Sequence, residues 1–459
     1  GEKDSNYIGN IYDFEYCYGI SYADITTGYF YCLLIPNDKG KLISEIINRG
    51  IREIIVNSKI DREIVNTLRE NYHLLITITD NIYEGSKYKD VYSEISDIRL
   101  VTTIKHLLDY IISVKKGDLS HFQRAEVINL SNYLLFDIHT KKNLELVETM
   151  RLRERTYSLL WLLDKTKTAM GGRFLKESIE NPLTDVKEIK RRYSIIETLL
   201  TEFILREELR EVLNNVYDLE RLSSRICYGN LNGRDLIQLK TTLKSLPRIN
   251  EILTSLNYGK NIETLQELYS LLDESINESP PLSIKEGSLI KKGYSDELDE
   301  LRSISSGSKD FILNLEQEER QRTGIKNLKV GFNKIFGYYI EVSKGNIPLV
   351  KEEFNYERRQ TLANCERFVT PLLKEKENII LGAEEKIINL EYKLFMDIRD
   401  KVKEYVPRIQ AISKVIAEVD MMISLSVVAE ENNYVKPNIN FSKTVEIKEG
   451  RHPVVEKVN

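Results

Sequence analysis

The spacing of apolar and polar positions changes period along this chain, and each change marks a different kind of element. In YGISYADITTGYFYCLLI (18–35) two β-branched and aromatic runs flank Thr27-Gly28, which predicts a hairpin. REIIVN (52–57) and HLLITITD (73–80) predict further strands, and KGKLISEIINRG (39–50) a helix, so residues 8–105 read as an α/β region. From about Thr103 onward the period is helical, with loops marked by NPLTD (181–185), YGNLNGRD (228–235) and NESPPLS (277–283).

One segment departs from the helical rhythm. In FNKIFGYYIEVSK (332–344) Tyr338, Ile340 and Val342 share one parity, and Tyr339, Glu341 and Ser343 the other, which is the period of a strand. On either side the period is three to four. Leu298, Leu301, Ser305, Ser308, Ile312 and Leu315 form one stripe, and Ile380, Ala383, Ile387, Leu390 and Leu394 another. Each stripe predicts a helix of roughly 30 residues, about 45 Å long. The expected arrangement is an antiparallel helical arm with a small sheet at its tip, on which Tyr338 and Tyr339 pack against the helix ends.

Composition places this pattern in a folded, helix-rich protein of about three domains: 459 residues, 41% hydrophobic, 30% charged, with only 22 Gly and 10 Pro. Cys17, Cys32, Cys227 and Cys365 lack CxxC spacing, so neither a disulfide framework nor a zinc site is supported, and a reducing, cytoplasmic setting is expected. No apolar run approaches the length of a membrane span, and no membrane association is expected. The first residues, GEKDSNYIGN, carry no export signal and no initiator Met, which suggests a piece of a longer protein. The net charge is −5, yet residues 326–376 hold ten Lys/Arg against six Asp/Glu, a local +4 that leaves −9 elsewhere. The basic excess surrounds the unusual strand.

Just beyond that strand, NYERRQTLANCERFV (355–369) crowds Arg358, Arg359, Gln360, Thr361, Asn364 and Arg367 together. Guanidinium forks and short amide or hydroxyl groups grip phosphate oxygens without reading bases. Two consecutive arginines on a strand cannot both point into a packed face, so at least one meets solvent. Two other readings stand beside duplex binding. One is a protein-interaction arm with no nucleic-acid role. The other is a metal-dependent nuclease using Asp13, Asp24 and Asp80, the carboxylates on or beside the predicted strands. The histidines at 73, 106, 121, 139 and 452 show no metal-ligand spacing, and no GxSxG elbow occurs, so no catalytic residue or metal ligand is assigned.

Five collinear blocks resemble the MutS family of DNA mismatch recognition proteins. GISYADITTGYF resembles its connector domain. NLEL (143–146) with SLLWLLDKTKTAMGGRFLKESIENPL (158–183) resembles the start of its helical core. LKVGFNKIFGYYIEVSKGN and YERRQTLANCERFVTPLL resemble its clamp and returning lever helix, and EIKEGRHPVVE (446–456) the beginning of its ATPase domain. The resemblance implies a multidomain, mainly α architecture. It comprises an α/β, ribonuclease H-like connector at 1–105, helical core and first lever at 106–308, and a β-rich clamp at 309–368. The returning lever and remaining core take 369–438, and the start of an ATPase domain 439–459. It implies a role in DNA mismatch repair, with DNA backbone contacts at Asn333 and Asn364. Lys334, Arg358, Arg359, Gln360, Thr361 and Arg367 are added from their chemistry. Asn333 has a second reading as a hairpin cap.

The family's Phe-x-Glu mismatch wedge has no counterpart, because none of the 13 Phe is followed two places on by Glu. No GxxxxGK[ST] phosphate loop is present either. The chain is therefore expected to have no ATPase activity and no cofactor of its own, with ATP and magnesium belonging to a domain beyond it. Implied partners are mismatched duplex DNA, a MutL-type repair protein through the connector, and a second copy in a full-length homodimer.

Overall fold

The computed structural model describes residues 1–128 and 162–432 apart from positions 182 and 184. The NLEL stretch, residues 158–161, the 433–438 end of the expected core and the ATPase-like block therefore lie outside the described residues. The chain forms two compact units. One comprises Gly1–Leu231, Gln238–Tyr269 and Lys401–Asn459, the other Asn232–Ile237 and Ser270–Asp400.

The first unit opens with β1 (Tyr7–Asp13), β2 (Cys17–Asp24), β3 (Phe30–Pro36), α1 (Lys39–Asn48), β4 (Glu53–Val56), α2 (Arg62–Glu70), β5 (Leu75–Ile78), α3 (Ile98–Val114) and β6 (Glu126–Val127). They build one sheet in the order β5-β4-β1-β2-β3-β6. β1, β2 and β3 run antiparallel, whereas β4 follows β1 in parallel, β5 follows β4, and β6 follows β3. Side chains of α1 and α2 cover one face through Leu42, Ile46, Ile64 and Leu68. Those of α3 cover the other through Leu100, Ile104, Leu107 and Ile111. Asp38, Asp61 and Asp97 start these three helices by accepting from backbone N–H groups of their first turns.

The predicted hairpin, strands and first helix are present. β1 was not legible in the sequence because it lies between β2 and β4 with both faces covered, so it shows no apolar–polar alternation. Its middle residue is the polar Asn10, wholly buried. The amide donates to Thr103 O at 2.8 Å and to His106 Nδ1 at 2.9 Å, while its oxygen accepts from Ser21 N at 3.1 Å. Since Thr79 O can only accept, His106 carries its proton on Nε2, 2.7 Å away, and burial keeps the ring neutral by lowering its pKa. The expected boundary at 105 is corrected, because α3 continues to Val114 and β6 joins the same sheet at 126–127.

The geometry gives the nuclease reading no support. Tyr7 pairs with Asp24 and Asp13 with Tyr18, so Asp13 and Asp24 stand at opposite ends of the β1–β2 ladder, about 20 Å apart. Asp24 instead closes the hairpin, accepting from Thr26 N at 2.9 Å and Thr26 Oγ1 at 2.6 Å. Among the described residues no group of three or more His, Cys, Asp or Glu side chains is placed to hold a metal.

The chain continues through α4 (Ala169–Glu180), α5 (Val186–Thr201), α6 (Phe203–Leu213), α7 (Leu219–Tyr228), α8 (Gly233–Ser255), α9 (Gln266–Ser275) and α10 (Asp296–Thr323). After the second sheet come α11 (Pro371–Lys403) and α12 (Val406–Asn432). In the first unit α12 packs against α4, α5, α6 and α7 and is buried on every side from Ile416 to Ala429. Asp420 in this stretch accepts from Thr168 N at 2.8 Å, Thr168 Oγ1 at 2.6 Å and Lys167 N at 3.0 Å, while Thr168 Oγ1 itself caps α4. Gly171 makes this approach possible, since a Cβ there would lie 2.1 Å from Asp420 Oδ2. No helix among the described residues is long and apolar enough to cross a membrane.

Just before Asp420 on α12, Glu418 accepts from Arg191 Nη2 at 2.6 Å, from Lys260 Nζ at 3.0 Å and from the Tyr258 hydroxyl. Burial alone would raise its pKa, but these three donors hold the carboxyl down at about 2. A depressed folded-state pKa contributes stability above the ordinary glutamate value, and that contribution is lost as pH falls toward 2. Glu418→Gln should therefore cost about 3 kcal/mol at pH 7. In urea unfolding from pH 7 downward, the gap between parent and variant should close below about pH 4.5.

Candidate nucleic-acid interface

In the second unit α10 and α11 run antiparallel. Arg302 pairs with Glu391 at 2.7 Å and Lys309 with Glu384 at 2.8 Å, so numbers rise along one helix as they fall along the other. Their buried stripe begins as the sequence reads, with Leu298, Ser305, Ser308, Ile312 and Leu315 on α10 and Ile380 and Ala383 on α11. Further along α11 Glu391, Phe395, Ile398 and Val402 are buried, the first two one position away from the expected Leu390 and Leu394. α10 ends at Gly324, whose φ of 72° supplies the left-handed cap. The expected domain edge after residue 308 is thus corrected, because it falls in the middle of this helix.

Between the helices lie β7 (Lys329–Asn333), β8 (Gly337–Ser343), β9 (Glu357–Thr361) and β10 (Cys365–Val369), forming an antiparallel sheet in the order β7-β8-β10-β9. Pairing register sorts its side chains onto two faces. Val330, Tyr338, Ile340, Val342 and Phe368 face Ile312, Leu315, Leu373 and Ile380 of the helices. Buried Glu319 of α10 anchors the loop before β9 by accepting from the Tyr356 hydroxyl and pairing with Arg322 at 2.8 Å.

The opposite face carries one continuous row across the four strands. Gly331 leaves room for the Tyr339 ring, whose hydroxyl would stand 2.5 Å from a Cβ at that position. Arg367 stacks 4.1 Å from the Tyr339 ring centre, and its guanidinium donates to Glu341 Oε1 and Gln360 Oε1, each at 3.1 Å. Tyr339 therefore does not pack on the helix ends as expected; only Tyr338 does. Arg367 and Gln360 are brought together, but as partners of one another rather than as free groups.

The arginine pair is split by a bulge. Arg367 pairs with Gln360 and Phe368 with Arg358, so Arg359 is the extra residue on β9 and is exposed. Arg358 is 58% exposed but pairs with Glu366 at 3.2 Å. Among the described residues around this sheet, Arg359, Lys329, Lys334 and Lys344 form no salt bridge, whereas Lys351, Arg358, Arg367 and, on α11, Lys374 do. Thr361 and Asn364 are exposed, and Lys344 N donates to Asn364 O at 3.1 Å, which places Lys344 beside them. Lys329 and Lys344 were not singled out from the sequence, since only register reveals that Lys329 shares the outer face and that Lys344 adjoins the β9–β10 turn.

Asn333 and Asn364 occupy opposite ends of the sheet. The β7–β8 turn lies beyond Gly337 and the β9–β10 turn beyond Ser343, six strand residues or about 20 Å apart. Asn333 Oδ1 accepts from Ile335 N at 2.8 Å and Phe336 N at 3.2 Å, so the residue caps its turn, and its amide nitrogen remains for an outside acceptor.

A sheet with uncompensated cations, carried by a pair of long antiparallel helices and preceded by an α/β domain, defines a modular, mainly helical protein. Residues 6–123 match the family MutS domain II, and residues 139–426 match MutS domain III. The chain belongs to the MutS family. It is similar along its whole length to the DNA mismatch repair protein MutS of Bacillus subtilis (strain 168), at 46% identity over 53% of that protein. It is likewise similar to those of Geobacillus sp. (strain WCH70), at 44% over 54%, and Geobacillus thermodenitrificans (strain NG80-2), at 45% over 51%. The chain thus spans about half the length of these relatives.

Because Asn333 is a cap, its replacement has a structural signature separate from any ligand. Asn333→Ala should lower stability by about 1 kcal/mol, whereas Asn333→Asp, which keeps the accepting oxygen, should lie within a few tenths of the parent. Urea unfolding of the three proteins checks this.

Proposed function

We propose that this chain serves DNA mismatch repair by holding the backbone of duplex DNA on the sheet between α10 and α11. In this reading the sheet is a clamp, α10 and α11 are levers, and the N-terminal α/β domain is a ribonuclease H-like connector. The observation that carries it is the bulge at Arg359, which extrudes a guanidinium that forms no salt bridge onto an edge shared with Thr361, while Lys344 and Asn364 stand at the adjoining turn. Exposed cations that form no salt bridge and short donors, without a pocket to read bases, suit phosphate oxygens. Lys334 and the free amide of Asn333 supply a second point about 20 Å away, a span comparable to the width of a duplex.

The relatives' name, DNA mismatch repair protein, supports the same role. ATP and magnesium are assigned to a domain outside this chain, which itself is not an enzyme. A MutL-type partner is assigned to the connector, and homodimerisation to the full-length protein in the cytoplasm. With no Phe-x-Glu wedge in the chain, duplex binding should be indifferent to a mismatch.

Fluorescence anisotropy with matched and mismatched duplexes at several salt concentrations tests the reading. The parent should bind both equally and weaken steeply with salt. Arg359→Ala should flatten the slope of log affinity against log salt by about 0.9 for each phosphate it no longer neutralises. Arg358→Ala should change it less, since that charge is already neutralised by Glu366. Unaltered slopes in Arg359→Ala, Lys334→Ala and Lys344→Ala together would reject the assignment.

A further inference from the structure

The β7–β8 turn combines features that a phosphate grip alone does not require. Phe332, Ile335 and Phe336 are 53%, 84% and 39% exposed, and they lie within five residues. The turn is nevertheless rigid. The Asn333 cap fixes its first half, and Gly337, at φ 84°, fixes its end where a Cβ would collide with Glu377. Tyr338 N donates to Glu377 Oε2 at 3.1 Å, tying the base of the turn to α11. Phe332 leans on Tyr338, ring centres 4.8 Å apart, which leaves Ile335 as the projecting apolar group. Lys334 beside it forms no salt bridge, and no residue from 332 to 337 is acidic.

The geometry points to Ile335 as an apolar wedge that this turn presses against the deoxyribose wall of a duplex groove while Lys334 meets the flanking phosphate. The inference rests on the DNA-backbone reading above and adds a contact that is not electrostatic. An exposed isoleucine held by a capped turn loses little freedom on binding, and sugar edges are an apolar surface that a groove offers at every base pair. The uncompensated lysine next to it favours a polyanion over a neutral apolar partner. Ile335 is not legible from the sequence, because a single apolar residue in a turn belongs to no periodic pattern.

The test uses the 459-residue chain and a fluorescein-labelled duplex of about 30 base pairs, long enough to cross the sheet. Ile335→Ser should melt with the parent, bind about tenfold more weakly, and keep the parent's salt slope, because removing an apolar group releases no counterion. Lys334→Ala should weaken binding and lower that slope by about 0.9. If the parent binds and Lys334→Ala lowers the slope while Ile335→Ser binds as the parent does, the wedge is overturned and the backbone reading stands. If the parent itself fails to bind, the backbone reading fails first. Should Ile335→Ser instead abolish self-association in sedimentation and leave duplex affinity untouched, the occupant is a second copy of the chain, and the wedge is again overturned.

Discussion

Glu391 is buried in the middle of α11 and spends its whole carboxylate on neighbours. It accepts from Ser288 N at 2.9 Å, Leu289 N at 3.1 Å and Ile290 N at 3.0 Å, and it pairs with Arg302 of α10. One charge thereby fixes three segments, and Ile290 in turn bridges to Ile276 beside α9. A charge so deeply placed is tolerable only when every lone pair is met, so the local arrangement is close to all-or-none. The register of α10 against α11 follows from this contact, and the seat of the second sheet follows from the register, because Ile312, Leu315 and Ile380 must arrive on one side to receive Ile340 and Phe368.

The same device recurs. Glu418 binds α5 and the 258–260 loop to α12, and Asp420 caps the start of α4 from α12. In each case a buried carboxylate on a long helix collects donors from segments far away in the chain. The charge-rich composition is thus partly internal. Some of the arginine and glutamate that reads as solvated surface, such as Arg191, Arg302, Glu391 and Glu418, is consumed in such joints, and the cations around the second sheet that form no salt bridge stand out against that background.

The proposed duplex binding would place two demands on that sheet. It must be rigid, which the Tyr339–Arg367–Glu341–Gln360 row provides by locking the outer face. It must also leave cations outside salt bridges, which the bulge provides by moving Arg359 out of the ladder. Arg367 and Arg359 are both arginines in the same short stretch, yet one is structural and the other available. A strand's parity would have put Arg359 in line with Glu357 and Thr361, and the extra residue breaks that rule.

Elements whose causes are local were legible in the residues alone. The hairpin at Thr27-Gly28, the period-two strand at 338–342 and the two long amphipathic helices follow from spacing, and the clustering of 358–367 follows from composition. β1 escaped because burial on both faces erases alternation. The α3 boundary and the shift from Leu390 to Glu391 on α11 escaped because helix ends and helix faces are chosen by what packs against them. Which cation is free is settled by packing in three dimensions. Arg358, Arg359 and Arg367 are indistinguishable as letters, and their fates depend on where Glu366, Glu341 and Tyr339 lie across a ladder. A pairing register is a relation between segments distant in the chain, so no local pattern encodes it.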